Sequence, residues 1–518
     1  MGQASMFSRV KTAHIVGIDS IIVDVEVYIA SLGLPAFNMV GLADSAVKES
    51  KERVKASLKN MDFNIFAKPI TINLAPADFK KEGTHFDLSI AVALLIAAGF
   101  LDNNTTSNIL FLGELSLDGG LRSVPGVLPM VMEAASQGIS KVVVPKDNIY
   151  EASYVENSEI YGFSNLAEVL QFLRGELSVN PAKPKKLDTQ LYRNVNYPDF
   201  NDIKNQKYAK RCAEIAASGM HNILLIGPPG SGKTMIARRL AGILPLMAFK
   251  EAIETTKIHS VAGRLNKRRG LVVNRPFVNP HHTASDVAII GGTKNAMPGL
   301  VSIAHNGILF LDEVLEFKRT VLEVLRQPME DGFVTVARAN RNVCYPARFM
   351  LVAACNPCPC GYLWSEKRAC NCTHSQVLKY QSKLSGPLVD RIDMHIKISD
   401  LDFSKISSTV AEESSEVVRK RVEKAHNLQK DRFNGSDVNF NAYMQQEHIK
   451  QFCKLDGLKM NILQKLVEKF ALSTRAADKI IKVARTIADL DGSTDIESQH
   501  LKEASQYRFF DIERDKNF

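Results

Sequence analysis

The run Gly227, Pro228, Pro229, Gly230, Ser231, Gly232, Lys233, Thr234 constrains this chain more than any other feature. It fits the Walker A pattern in full, and it lies between a short apolar run, Ile223–Ile226, and a helix-forming stretch, 235–244. Glycines allow backbone N–H groups to wrap phosphates at a helix N-terminus. Lys233 brings a positive charge to the β- and γ-phosphates, and the Thr234 hydroxyl is suited to Mg²⁺. A buried strand, a phosphate loop and a helix in that order dictate an α/β core that binds ATP with Mg²⁺. Further along, an apolar strand, 308–311, ends in Asp312 and Glu313. This is the Walker B design: Asp312 for the metal, Glu313 to polarise the attacking water. An acid pair after a strand is common and usually structural. Coupled to the phosphate loop, it points to hydrolysis as the job.

The 518 residues leave room for two to four domains. With 45% hydrophobic and 23% charged residues, the chain has enough apolar material for substantial cores. The longest apolar run, 88–101, is too short to cross a bilayer and is bounded by Asp87 and Asp102, so it is expected as a buried helix. No uninterrupted apolar leader precedes it, and a cytoplasmic setting with no membrane contact is the simplest expectation. Eight cysteines in such a chain do not suggest a disulfide scaffold. The net charge of +9 leans towards a polyanionic partner, although an even surface bias gives the same number.

Three blocks are expected. Residues 1–172 mix strand-like segments (21–27, 70–74, 141–144) with an amphipathic helix at 45–58. Residues 173–200 carry Pro181, Pro184, Pro198 and the basic Lys183, Lys185 and Lys186, which read as a solvated linker. Residues 201–398 carry the nucleotide chemistry. Residues 399–518 read as helical: Val418, Val422 and Ala425 repeat at helical spacing, and Thr494 with Glu497 forms a capping box.

Other segments resemble the AAA+ ATPases. The apolar strand 349–354 leads to Asn356, similar to the sensor 1 residue that orients water. Leu388-Val-Asp-Arg-Ile-Asp393 resembles the arginine-finger segment of the magnesium-chelatase branch, which implies that Arg391 reaches the γ-phosphate of a neighbouring subunit. The bland alternative is a surface Arg paired with Asp390 or Asp393. Leu472-Ser-Thr-Arg475 resembles the start of a sensor 2 helix, implying that Arg475 touches nucleotide from the lid; a local helix-start contact is the alternative. The segments 40–51, 279–285, 304–307, 356–361 and 484–490 resemble the ComM/YifB family of magnesium-chelatase-like AAA+ proteins. That resemblance covers nearly the whole chain. It implies a homohexameric helicase that drives branch migration during natural transformation, acting on single-stranded and branched DNA alongside recombinase proteins.

The first block looks like the Lon-protease domain, which shares its fold with ribosomal-S5-like domains. Lon proteases carry a Ser nucleophile in Gly-Pro-Ser-Ala-Gly. The corresponding stretch here is Gly83-Thr-His-Phe-Asp87, and the base Lys falls at Met130. Without a Ser–Lys pair, peptide cleavage lacks an activated nucleophile. The expectation is a non-proteolytic scaffold or DNA-engaging domain.

Two segments are candidates for gripping DNA. One is 264–270, with Lys267, Arg268 and Arg269, expected as an insert on the second helix of the motor. The other is 333–345, which reads as a β-hairpin with Arg338 and Arg341 near its tip. A functionless solvated hairpin is the alternative.

Cys358, Cys360, Cys370 and Cys372 form two Cys-x-Cys pairs able to hold Zn²⁺, with Cys355 and His374 as substitutes; a reduced thiol cluster is the other reading. Cys-x-Cys is tighter than the usual knuckle, which raises the prospect of strain. His281 and His282 are expected to pack or hydrogen-bond.

The reading is an α/β AAA+ core with a helical lid, preceded by the Lon-like domain. One rival is a chelatase-type ATPase that acts on a protein partner and shows no DNA stimulation. Another is an ATP-dependent protease, and a third a non-enzymatic DNA scaffold, against which the intact Walker residues speak.

Overall fold

A computed structural model describes residues 7–186, 197–266, 270–292, 296–338, 341–384, 386–400, 412–470 and 472–508. In the first domain, β1 (Phe7–Val16) and β2 (Asp19–Ile29) pair as an antiparallel hairpin. β3 (Phe37–Val40) leads to α1 (Ser45–Asn60), whose start is capped by Asp44 accepting from the Val47 N–H at 2.8 Å. β4 (Ile70–Ala75) and α2 (Asp87–Ala97) follow, then β5 (Ile109–Phe111) and the short ribbon β6 (Glu114–Leu115) with β7 (Leu121–Arg122). After α3 (Val127–Ser136) come β8 (Lys141–Pro145), α4 (Ile149–Ala152), β9 (Glu159–Phe163) and α5 (Leu166–Leu173).

Seven strands form one mixed sheet in the order β3-β4-β2-β1-β5-β8-β9. Successive strand residues face opposite sides, so Ile109, Phe111 and Val143 join a core with α2, while Leu110, Val142 and Val144 join another with α3. α2 is buried along its whole length, which is why its sequence is apolar all round.

The stretch expected as a solvated tether is partly seated instead. Leu177 and Val179 pack on the first domain's core, and the Ala182 N–H donates to Ile160 O at 2.8 Å. Lys185 lies over the Tyr150 ring at 4.5 Å, and burial pushes its ammonium pKa down. Tyr197 already packs on the next core.

That second unit contains α6 (Lys207–Gly219), β10 (Ile223–Ile226), α7 (Lys233–Leu240), α8 (Phe249–Val261) and β11 (Phe277–Val278). Next are α9 (Asp286–Ile290), α10 (Leu300–Ile303), β12 (Ile308–Leu311), α11 (Arg319–Val324) and α12 (Arg326–Asp331). The hairpin β13 (Phe333–Arg338) and β14 (Arg341–Pro346) precedes β15 (Met350–Cys355), α13 (His374–Gln381), α14 (Gly386–Val389) and β16 (Met394–Lys397). The five-stranded sheet runs β11-β12-β15-β10-β16, every pair parallel. Its central strands are buried on both faces and therefore read as unbroken apolar runs.

The last unit is helical: α15 (Ser415–Arg432), α16 (Gln446–Phe452), α17 (Gly457–Lys469), α18 (Thr474–Leu490) and α19 (Ser498–Gln506). Val418, Val422 and Ala425 are buried, as their spacing predicts. The expected Thr494–Glu497 box is not the one formed. Glu497 itself precedes α19, and its N–H donates to His500 Nδ1 at 2.9 Å. The Thr494 carbonyl is taken by Arg485, a buried side chain that also binds Asp489. The helical unit packs on α6, and its apolar residues share one continuous core with the sheet.

The first domain docks on α8. The Gly126 N–H donates to Ser260 O at 3.1 Å, Ser260 Oγ donates to the buried Glu151 carboxylate, and Lys257 pairs with Asp19. No described helix is long and apolar enough to cross a membrane.

Candidate active site

β10 delivers the chain into the phosphate loop. Gly227 has no room for a side chain, because a Cβ there would lie 2.5 Å from Ile398 O beside the strand. Gly232, at φ +91°, takes the left-handed turn that starts α7. Lys233 Nζ donates to Gly227 O at 2.7 Å, Pro228 O at 2.9 Å and Asn356 Oδ1 at 3.2 Å. Burial lowers its pKa. Gln206 donates from Nε2 to Ser231 O at 2.8 Å and holds the far side of the loop.

β15 lies beside β10 and β12 beside β15, all three parallel, so their ends converge on the same place. Thr234 Oγ1 donates to Asp312 Oδ2 at 2.7 Å. In an Mg²⁺ octahedron with ligands at about 2.0–2.1 Å, neighbouring oxygens lie about 2.9 Å apart, so this pair spans one edge. The donor set therefore fits the metal. Glu313 follows in the left-handed region at φ +51°, exposed, with its N–H donating to Asp312 Oδ1 at 3.0 Å. A non-glycine residue there is strained by about 1–2 kcal/mol, held so that its carboxylate faces solvent beside the loop. Asn356 immediately follows β15 and faces Lys233.

Arg391 and Arg475 lie elsewhere. Arg391 O accepts from Asn222 Nδ2 at 3.2 Å, and Asn222 immediately precedes β10. The four-residue strand puts roughly 13 Å between that end and the phosphate loop. Arg391 pairs with neither Asp390 nor Asp393. Its guanidinium meets Glu330 and donates to Pro387 O at 2.6 Å. Arg475 Nη1 reaches the same Glu330 at 3.8 Å. Arg475, at the start of α18, is exposed and its described ion pair is this one with Glu330. Asp393 is buried. Although burial pushes its pKa up, Lys479 holds it well below the usual carboxylate range. Its Oδ2 also accepts from the Asn222 N–H at 2.8 Å.

The DNA candidates fare differently. Lys267, Arg268 and Arg269 lie outside the described residues. Their flanks, however, run between α8 and β11 against the first domain, where a Cβ on Gly270 would lie 2.1 Å from Tyr150 O. The tip of the expected insert thus falls outside the described residues. Between β11 and β12, α9 and α10 are separate helices, and Gly291 bridges Pro298 between them.

The second hairpin forms as expected, in the register Val336↔Val343 and Arg338↔Arg341; the side chains of both arginines lie outside the described residues. Tyr345 Oη donates to Ala296 O at 2.6 Å, tying this hairpin to the segment between α9 and α10.

The four thiols Cys358, Cys360, Cys370 and Cys372 gather within 4.8 Å of one another. The Cys358–Cys360, Cys358–Cys370 and Cys360–Cys370 sulfurs are 3.4, 3.7 and 3.5 Å apart. Tetrahedral Zn²⁺ with Zn–S of about 2.3 Å needs edges of about 3.8 Å. The donors fit, and the tight Cys-x-Cys spacing imposes no obstacle. Cys355 and His374 are not in the cluster. Burial pushes Cys358 up to about 12, while the Tyr362 N–H lowers Cys360 to about 6. Gly361, inside this loop, packs so closely on the phosphate loop that a Cβ would lie 2.7 Å from Pro229 Cδ. His281 Nδ1 bonds Thr283 Oγ1 at 2.8 Å, and its ring packs on His282 at 4.2 Å.

At the Lon-like position, Asp87 is buried against Arg53 and the Leu115 N–H. Met130 lies inside α3, fully buried, so no base replaces the missing lysine there.

Comparison with known proteins adds three matches to magnesium-chelatase family models. "Magnesium chelatase, subunit ChlI" matches residues 199–406, "Subunit ChlI of Mg-chelatase" residues 25–148, and the ChlI C-terminal model residues 412–508. The chain is 41% identical to Competence protein ComM of Haemophilus influenzae over 512 residues, covering 98% of each chain. It is 41% identical to YifB of Escherichia coli over 505 residues, covering 97% of each. The magnesium-chelatase 38 kDa subunit of Cereibacter sphaeroides is 29% identical over 174 residues, 30% of this chain and 52% of that one.

Proposed function

The chain belongs to the ComM/YifB family of magnesium-chelatase-like AAA+ ATPases, and from that membership we propose a homohexameric DNA translocase that promotes branch migration during recombination in natural transformation. One observation carries the reading. Lys233, Asp312 and Asn356 converge at one end of the sheet, while Arg391 and Arg475 share Glu330 at the other. Each chain thus carries two halves of a hydrolytic site that cannot meet in one copy. A head-to-tail contact brings them together, and repetition that closes makes a ring.

In this reading Gly227, Gly230, Gly232 and Lys233 cradle the phosphates. Thr234 and Asp312 hold Mg²⁺, which neutralises phosphate charge when bound. Glu313 takes the proton from water, and Asn356 orients that water. Arg391 and Arg475 of the adjacent copy stabilise the γ-phosphate as it leaves. The four cysteines hold a structural Zn²⁺ that fixes the Gly361 loop against Pro229. The hairpin with Arg338 and Arg341 tracks DNA phosphates, with Lys267, Arg268 and Arg269 as a further contact. Single-stranded and branched DNA are the substrates, recombinase proteins the partners and the cytoplasm the setting. The domain division is 1–172, a connection ending near 200, a motor to 398, and a lid.

ATPase activity with and without single-stranded and branched DNA tests this, with Glu313→Gln as control. DNA stimulation is expected, with turnover lost in the variant. A wild-type rate indifferent to nucleic acid would favour the chelatase-like reading, action on a protein partner, for which the 174-residue similarity to the 38 kDa subunit speaks.

A further inference from the structure

Glu330 is absent from every nucleotide motif, yet both arginines at the far end of the sheet converge on it. Arg391 is the more tightly held. Its side chain is only 11% exposed, it also donates to Pro387 O, and its Nε has no hydrogen-bond partner among the described residues. Arg475 is 64% exposed and approaches more loosely. A guanidinium so placed is already neutralised by a carboxylate of its own chain.

Glu330 also has a telling position in the chain. It is the penultimate residue of α12, and the single residue Gly332 separates that helix from β13. The joint is stiff. The Gly332 N–H donates to Pro328 O at 3.0 Å, and Gly332 O accepts from the Ala347 N–H at 2.8 Å. Gly332 has φ +73°, and a Cβ there would lie 2.7 Å from Arg348 Cγ. A rotation of α12 therefore passes to the root of the hairpin. Each of its six-residue strands extends roughly 20 Å, so a small turn at the root is magnified at the tip.

We infer that Glu330 is a positioning residue that couples the arginine finger to the hairpin: it holds Arg391 until a neighbour's γ-phosphate competes for the guanidinium, and its release lets α12 and the hairpin shift. This rests on the reading of Arg391 as acting on the adjacent copy's nucleotide. The competing groups are chemically alike, since carboxylate and phosphate oxygens both match the Arg fork. Both cannot hold it fully at once, so nucleotide at one interface and hairpin posture in the adjoining copy become linked.

The experiment uses the full chain with Glu330→Gln, Glu330→Asp, Arg391→Ala and the Glu330→Gln/Arg391→Ala double variant. Steady-state ATPase with and without branched DNA is measured beside strand displacement per ATP consumed. Glu330 is half exposed, so both of its substitutions are compatible with folding. Glu330→Gln is expected to raise DNA-free kcat by about two- to fivefold, the worth of a partly exposed ion pair, with KM for ATP unchanged. DNA stimulation and displacement per ATP should both fall, and Glu330→Asp should restore part of each. In the Arg391→Ala background, Glu330→Gln should add nothing. Wild-type kcat and coupling in Glu330→Gln, alongside lost turnover in Arg391→Ala, would overturn the coupling role and leave the finger intact. Unchanged turnover in Arg391→Ala would remove the finger reading and this inference together.

Discussion

Lys233 and Arg391 lie by the two ends of the same strand, β10: Lys233 folds over the loop at its exit, and the Arg391 backbone carbonyl accepts from Asn222 Nδ2 at its entrance. On the proposed reading, the two positive charges serve nucleotides in successive copies.

Complementation between variants measures this. Arg391→Ala and Glu313→Gln are each expected to abolish turnover as pure proteins. Mixed in equal amounts, about one interface in four should pair an intact Glu313 with an intact Arg391, if exchange around a ring is random. A regained ATPase rate near that fraction is expected. A mixture as inactive as its components would show that the arginine acts within its own chain.

Glu313→Gln keeps the side-chain shape but removes the base. Turnover should fall by about 10²–10⁴-fold, while nucleotide affinity by equilibrium titration stays within a fewfold of wild type. Thr234→Ala should also depress turnover, and added Mg²⁺ should rescue it in part, because Asp312 would retain its own oxygen for the metal.

The buried Lys479–Asp393 pair sets an acid limit on stability. Asp393 has a depressed pKa in the folded chain, so it binds fewer protons there than when unfolded. Its contribution is fully present above about pH 3.9, the unfolded carboxylate value, and is lost as pH falls from there towards the folded pKa. Lys479→Met leaves a buried carboxylate without its cation and should cost about 3–5 kcal/mol. Denaturant titration at neutral pH should show this loss, and the acid-side slope of stability against pH should flatten.

Zinc analysis of the purified chain should find about one ion per chain, bound by the four thiolates. Cys358→Ser should lower both zinc content and melting temperature. It should also lower ATPase activity, because Gly361 and Asn356 lie on either side of that cysteine and pack beside Pro229 and Lys233. A variant that loses zinc yet keeps wild-type turnover would separate the cluster from the phosphate loop.

What the sequence revealed is what is local. The phosphate loop, the strand ending in Asp312-Glu313 and the hairpin at 333–345 are each set by neighbours a few residues away, and each forms where expected. Glu330 was not legible, because its meaning comes from Arg391 and Arg475, both distant in sequence and brought together by packing alone. The lysine-rich connection read as solvated since aromatic contacts such as Lys185 on Tyr150 have no signature in spacing. At Glu497 the pattern for a cap was present, but the helix starts further along, with Glu497 itself at the N-cap position.

The shared core beneath the sheet has a mechanical corollary. Val422, Ile480, Ile487 and Leu501 of the helical unit are sealed into the same apolar mass as Ile223, Phe310 and Val352. A lid built this way cannot swing like a jaw, since opening it would wet the interior that keeps the motor folded. In the proposed ring, the stroke that follows hydrolysis would carry the sheet and its helical cap as one body and be taken up at the seam between neighbouring copies.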